Sequence, residues 1–295
     1  MPDFRLKVFY TVAQTLNFNK AAEKLFISQP AVTKNIRELE QHFGITLFNR
    51  KHKQITLTSE GEIVKQYAQT IFDQYQKLDF ELNLLKNKTA GILRIGASTT
   101  IAQYIIPPVL ASFHKRFPDV SMHLNNANSH DIEHMLQTGS IDLGIVEGIN
   151  TNTDLKYLPY MKDEIVLVTS VNNKSLKKDT ISLKDLEKFP LIMREEGSGT
   201  FDIIRNSLKK SGFDPAGLKI EMQLGNTEAI KNYLIHSNAY AFLSVYGIRT
   251  ELSSNKLQII DIKELEINRI LSFAYKQGQP LPLAELFIQF ASIDQ

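Results

Sequence analysis

A chain of 295 residues is too long for one ordinary domain and long enough for two or three, and 43% hydrophobic with 22% charged residues describes globular rather than disordered or fibrous protein. The absence of cysteine excludes disulfides, thiolate metal sites, a cysteine nucleophile and a thiol redox sensor. The net charge of +2 is unevenly placed: up to Lys65, ten basic residues face six acidic ones, so a polyanionic partner would meet a basic head on a mildly acidic body.

No stretch approaches the roughly 18 apolar residues that cross a bilayer, and no apolar run follows a basic N-terminus. Both features predict a cytoplasmic protein without a membrane partner. Leu6, Phe9, Tyr10 and Ala13 recur at helical spacing and predict an opening amphipathic helix. Asn19 is the expected N-cap of a second helix carrying Ala21, Ala22 and Leu25, small residues that let another helix approach closely. Phe26, Ile27 and Ser28 form a tight connector. Ser28 caps a third helix, where Pro30 is tolerated because its missing N–H would have had no intrahelical partner.

In the third helix Val32, Ile36, Leu39 and Phe43 make one apolar stripe. The opposite face carries Pro30, Thr33, Lys34, Arg37 and Gln41, with Gln29 at its exposed start. A recognition helix needs such a face, because Gln and Lys reach base edges in the major groove while Arg and Lys neutralise phosphates. An ordinary solvated helix has the same pattern, so the helix alone leaves both readings open. The segment after it favours the first. Thr46 to Arg50 and Gln54 to Leu57 read as short strands around a tip at Lys51, His52 and Lys53. A cationic hairpin behind a helix-turn-helix is a wing, and Arg50, Lys51 and Lys53 are placed to contact phosphate.

Four ordered blocks carry a family resemblance: Phe18 to Leu25, Ser28 to Glu40, Gly44 to Arg50, and Leu57-Thr58-Ser59-Glu60-Gly61. Together they resemble the signature of the LysR-type transcription regulators almost position for position. The resemblance implies a winged helix-turn-helix domain over residues 1–58 that binds double-stranded promoter DNA through Gln29, Pro30, Thr33, Lys34, Arg37, Arg50, Lys51 and Lys53. The family usually has Ser then Arg where Thr33 and Lys34 stand, a swap that keeps a hydroxyl and a cation but loses the bidentate guanidinium.

Ser59 and Glu62 fit a capping box at the start of a linker helix over residues 59–88. Val64, Ala68, Ile71, Tyr75, Leu78, Leu82 and Leu85 then alternate steps of four and three. A lone helix cannot bury so narrow a seam against itself. Pairing with a second chain is the expectation, packing against its own third domain the alternative. The resemblance favours a homodimer through this helix and a homotetramer through the remaining domain. Asn87 to Gly91 reads as a hinge.

Residues 89–295 alternate strand and helix at lengths that predict a largely parallel α/β sheet. Strands are expected at Ile92–Ile95, Val120–Leu124, Leu143–Val146, Ile165–Val168, Leu191–Met193, Ile220–Leu224 and Tyr240–Leu243. Helices are expected at Pro107–Phe117, around Ile132–Leu136, through Phe201–Leu208 and at Ala229–Ile235. The resemblance implies a two-lobed effector domain like a type 2 periplasmic binding protein. Lobe 1 would cover about 91–162 and 267–295, lobe 2 about 163–266, the chain returning through Asn268 to Tyr275 and a last helix at Leu283 to Phe290.

Ligands of open α/β sheets bind beyond the carboxyl ends of strands, where helix starts offer free N–H groups to an anion. Three such loops are rich in hydroxyls: Ser98-Thr99-Thr100, Ser198-Gly199-Thr200 and Asn226-Thr227. Simple helix capping explains any one of them; their recurrence in both lobes points equally to a small anionic effector. Asp142 to Gly148 with Arg194 to Thr200 looks like the CysL-like, anion-responsive subgroup of the family. Glu147 would then bind a cationic part of the ligand or pair with a protein cation such as Arg194.

An enzyme is the first rival class. The seven His residues form no catalytic or metal framework, and between His130 and His134 Asp131 stands where the H-E-x-x-H zinc peptidase motif has Glu, so neither enzyme chemistry nor a cofactor is expected. A transport binding protein would account for the lobes but not for the wing, the helical seam or the missing apolar leader.

Overall fold

The computed structural model describes residues 3–49, 55–85, 89–148, 152–175 and 179–293. The chain divides into two units, residues 1–89 and 90–295.

In the first unit α1 (Phe4–Thr15) starts at Asp3, whose carboxylate accepts from the Arg5 N–H. α2 (Phe18–Leu25) is capped by Asn17, which takes the N–H groups of both Asn19 and Lys20. The cap is therefore two residues earlier than Asn19, which is already helical. Ser28 caps α3 (Gln29–Phe43), and Gly44 ends it in the left-handed conformation. Val32, Ile36 and Leu39 are buried with Leu6, Phe9, Val12, Ala21, Ala22, Leu47 and Phe48 in one core. Phe43, expected on the same stripe, is 46% exposed because the last turn runs past that core.

The wing strands are β1 (Phe48–Asn49) and β2 (Thr56–Leu57), paired antiparallel. The connecting tip, with Arg50, Lys51 and Lys53, lies outside the described residues. α4 (Ser59–Leu85) is capped by Thr58 rather than Ser59: the Thr58 hydroxyl accepts from the Gly61 N–H and donates to the Thr46 carbonyl. Ser59 instead reaches Glu60. A Cβ on Gly61 would lie 2.3 Å from the Leu47 carbonyl oxygen, so only glycine lets α4 start against the wing. Ala68 is buried and Val64 packs beside it in the unit's own core, which occupies the first part of the expected seam. Ile71, Leu78 and Leu82 remain exposed, as do Ile63 and Tyr67. The Leu85 side chain and the first two residues of the expected hinge, Asn87 and Lys88, lie outside the described residues.

The second unit runs β3 (Gly91–Ser98), a π-helical turn (Ile101–Ile105), α5 (Ile106–Arg116), β4 (Val120–Ala127), α6 (Ser129–Gln137), β5 (Leu143–Val146) and the long β6 (Leu155–Ser170). After it come β7 (Thr180–Ile181), β8 (Leu191–Met193), α7 (Gly199–Lys210), β9 (Ile220–Gln223), α8 (Thr227–Ile235), β10 (Tyr240–Ser244), α9 (Val245–Ser253), β11 (Leu257–Ile262), β12 (Ile267–Lys276) and α10 (Pro282–Ile293). The strands are ordered β4-β3-β5-β12-β6-β10-β8-β9, with β11 beside β6 and β7.

β3 is parallel to β4 and β5, and β8 is parallel to β9 and β10, so each lobe has the expected parallel core. The junction departs from that expectation. β6 and β12 are antiparallel along Leu155–Ile165 and Ile267–Lys276, and both are also antiparallel to their outer neighbours β10 and β5. The inner strands β5, β8 and β10 are covered on both faces, which is why they are buried along their whole length, whereas the edge strands β4 and β9 are largely exposed. In β10, Tyr240 and Phe242 face the cluster around α7, while Ala241 and Leu243 face that around α8 and α9. In the other lobe Phe113, Phe273 and Phe287 fill one face and Ile132, Leu136 and Ala274 the other.

Candidate functional site

On α3 of the first unit, Gln29, Pro30, Lys34, Arg37 and Gln41 are exposed and Thr33 is half-buried. With Glu38 they line a shallow open groove. The fold leaves this face free because Val32, Ile36 and Leu39 turn the opposite face inward. Gln29 Nε2 donates to Thr33 Oγ1 at 3.0 Å, which holds an amide and a hydroxyl together one turn apart. Lys34 is 3.8 Å from Glu38, an exposed pair that is easily exchanged for a phosphate contact.

In the second unit the hydroxyl-rich loops sit where strand ends of the two lobes meet. Ser98 ends β3, Thr99 and Thr100 follow it, and all three are buried; Ser198 and Thr200, at the start of α7, are buried as well. The Ser98 and Ser198 hydroxyls are enclosed and have no hydrogen-bond partner among the described residues. Thr99 Oγ1 accepts from Arg194 Nη2 at 3.2 Å across the lobes. Arg194 is 3% exposed and paired with Glu195 at 2.8 Å.

Thr200 Oγ1 donates to Glu147 Oε1 at 2.7 Å and accepts from Arg269 Nη1 at 2.8 Å. Arg269 in turn meets Asp163, to which Ser244 donates at 2.8 Å. The protein cation that pairs with Glu147 is therefore Arg269 on β12, not Arg194. Gly199 lies so close to this end of β5 that a Cβ there would be 1.8 Å from the Glu147 carbonyl oxygen. Ser129 donates to that carbonyl at 2.6 Å and ties the start of α6 to the same point.

The third loop is placed differently. Asn226 is exposed, and its side chain caps α8 by accepting from the Ala229 N–H at 2.8 Å. Thr227 is buried beside Gly247. Next to it Tyr104, from the π-helical turn of the first lobe, donates to Glu228 at 2.5 Å and lies under the Lys231 ammonium, 5.0 Å from its ring centre. Lys231, almost fully buried, also pairs with Glu251 at 3.0 Å. Burial, and then the Glu228 hydrogen bond, push the Tyr104 hydroxyl well above its ordinary pKa. Burial raises the pKa of Glu228, but the Lys231 and Tyr104 hydrogen bonds outweigh it and hold the carboxyl below its ordinary value.

Sequence reasoning did not single out Arg269, Asp163, Tyr104 or Lys231. The available signal was a charge inside an otherwise apolar strand, as in Ile267-Asn268-Arg269-Ile270-Leu271. The geometry defines a class: a helix-turn-helix unit with a polar recognition face, joined to a two-lobed unit with enclosed polar groups where the lobes meet.

Residues 86–292 match the LysR substrate binding domain and residues 4–62 the bacterial regulatory helix-turn-helix protein, lysR family. The chain is 30% identical over 270 residues to the HTH-type transcriptional regulator CysL of Bacillus subtilis, covering 92% of this chain and 89% of that one. It is 32% identical over 271 residues to a probable RuBisCO transcriptional regulator of Synechocystis, covering 91% and 79%. The regulatory domain of Synechocystis CcmR in complex with 2-PG superposes with a TM-score of 0.63 at 28% identity, covering 69% of this chain and 97% of that one. The protein belongs to the LysR family of DNA-binding transcription regulators, and its relatives carry the names of regulators rather than enzymes.

Proposed function

We propose that a small anion held between the two lobes sets how this regulator binds promoter DNA. The observation that carries the reading is the pair of enclosed hydroxyls, Ser98 Oγ and Ser198 Oγ, one from each lobe and both without a partner among the described residues. A buried donor left unpaired is unfavourable, and a ligand accepting from both would relieve it. Thr99, Thr100, the Gly199 N–H at the start of α7 and the buried Arg194 supply further donors and positive potential. Glu147 and Thr200 brace the site through Arg269. The CcmR regulatory domain solved with 2-PG supports a small ligand in this kind of unit. A ligand favours one lobe arrangement only through its stronger binding to it, and that difference is what DNA binding would sense.

On the DNA side, Gln29, Pro30, Thr33 and Lys34 read bases while Arg37, Arg50, Lys51 and Lys53 contact phosphates. The exposure of the α3 face supports the first assignment and the charge of the wing sequence the second. Ile71, Leu78 and Leu82, apolar and exposed on α4, support pairing with a second copy, with Val64 and Ala68 backing the seam from inside and Tyr75 and Leu85 completing it. Two such dimers join through their effector units into a homotetramer. The protein works in the cytoplasm; no helix among the described residues is long and apolar enough to cross a membrane.

The test is a gel shift with the purified protein and the DNA upstream of its own gene, with and without a panel of small inorganic and organic anions. A retarded band whose mobility or midpoint responds to one anion supports the reading. Retardation unaffected by every anion, with a response only to cations or apolar molecules, contradicts it.

A further inference from the structure

The turn ahead of α3 carries a side chain that neither packing nor capping explains. Phe26 is 96% exposed, more than any other large apolar side chain among the described residues. Its backbone is left-handed, with φ 54° and ψ 41°, and its N–H closes α2 on the Ala22 and Glu23 carbonyls. That cap position favours glycine or asparagine, whose backbones enter the left-handed region with least strain. Folding therefore disfavours phenylalanine here twice, through backbone strain and through apolar surface left in water. A strained, exposed residue that the fold does not need points to a role outside the fold.

Position decides what that role is. Phe26 lies two residues before Ser28, the cap of α3, and three before Gln29, whose amide opens the polar recognition face. A helix-turn-helix brings the N-terminal end of its recognition helix to the base edges of the major groove, so the turn preceding it reaches the border of the same groove. Among base edges there, the apolar group is the C5-methyl of thymine. We propose that Phe26 is a specificity residue, its ring packing on the thymine methyl at the edge of the sequence that α3 reads. Gln29 and Lys34 supply hydrogen bonds, and Phe26 adds an apolar reading that they cannot make.

The experiment uses the full-length protein and a duplex selected by it from random DNA, in which each thymine is replaced singly by uracil. That exchange deletes the methyl and leaves pairing intact. One such exchange should weaken wild-type binding roughly threefold to fivefold, the share of one buried methyl. Phe26→Asn should lose a similar factor on the thymine duplex, become indifferent to that uracil, and melt no lower than wild type because asparagine suits the left-handed cap. Equal uracil sensitivity in both proteins overturns the proposal, as does unchanged affinity in Phe26→Asn. A loss by the same factor on the thymine duplex and on its uracil counterpart, which leaves the variant as uracil-sensitive as wild type, marks a sugar contact and likewise overturns it.

Discussion

Arg269 Nη1 lies 2.9 Å from Glu147 Oε2, and the same guanidinium reaches Asp163 at 2.6 Å, with all three side chains out of solvent. The crossing strands bring them together: β12 carries Arg269, β6 carries Asp163, and Glu147 follows β5 where the helix start at Gly199 closes over it. One cation thus compensates two buried carboxylates from different strands, and Thr200 links them to α7. Removing the cation strands both carboxylates in a low-dielectric interior. Arg269→Met should lose about 3–5 kcal/mol in urea unfolding, and adding Glu147→Gln and Asp163→Asn should recover much of it. A loss below about 1 kcal/mol in Arg269→Met would show that the cluster is not the brace described.

Tyr104→Phe deletes the hydrogen bond to Glu228 across the lobes and keeps the ring under Lys231. A hydrogen bond to a charged group contributes more than a neutral one, but Glu228 is about half exposed, so the expected loss at pH 7 is about 0.5–1 kcal/mol. Because the folded-state pKa of Glu228 is lowered, its contribution is full above the unfolded-state value and fades as pH falls through the folded one. The wild-type advantage over Tyr104→Phe should therefore shrink as pH falls below the ordinary carboxylate range. An advantage that grows on acidification would assign the stabilisation to another group.

Charging the exposed stripe of α4 with Leu78→Glu and Leu82→Glu should break pairing of the chain, because carboxylates forced into an apolar seam are costly to bury. Sedimentation should show the folded double variant as a smaller assembly than wild type, no larger than the pair of chains held through the effector units. An unchanged oligomer would place the interface elsewhere.

Lys51→Ala should weaken binding to all DNA sequences alike and reduce the slope of log affinity against log salt by about 1, whereas Gln29→Ala should alter base preference at one position. Salt-dependent titrations on specific and scrambled duplexes separate the two. A Lys51→Ala variant with altered base preference and an unchanged slope would reverse this division of labour.

Periodicity made the order of elements legible, because the apolar spacing of each α3, β3 or β10 segment is set by its own neighbours. The stripe Val32, Ile36, Leu39 is one example; its continuation to Phe43 failed because a helix can outrun its core. Caps were misplaced by one or two residues, Asn17 for Asn19 and Thr58 for Ser59, since adjacent residues of equal capping chemistry cannot be ranked without the backbone. What sequence could not supply was long-range pairing. Glu147 needed a cation, and its neighbour in the motif, Arg194, was the natural candidate; the sheet order delivers Arg269 instead. Likewise the antiparallel pairing of β6 with β12, and of the short β7 with β11 in parallel, is set by tertiary contacts that no local pattern announces. The three hydroxyl-rich loops were visible as a class, yet only the structure separates the enclosed Ser98 and Ser198 from Asn226, whose side chain is taken by its own helix.

The most direct test of an anion between the lobes is calorimetric titration of the anion that shifts the DNA complex into wild type and into the double variant Thr100→Val, Ser198→Ala. Valine keeps the shape of threonine without its hydroxyl, and alanine removes a hydroxyl that has no partner among the described residues, so the variant should stay folded and bind DNA almost as before. Wild type should release or absorb heat on saturable binding of that anion, while the variant should bind it at least tenfold more weakly, about 1.4 kcal/mol, and no longer respond to it in the gel shift. Undiminished anion affinity in the variant would contradict the account and move the site away from these loops.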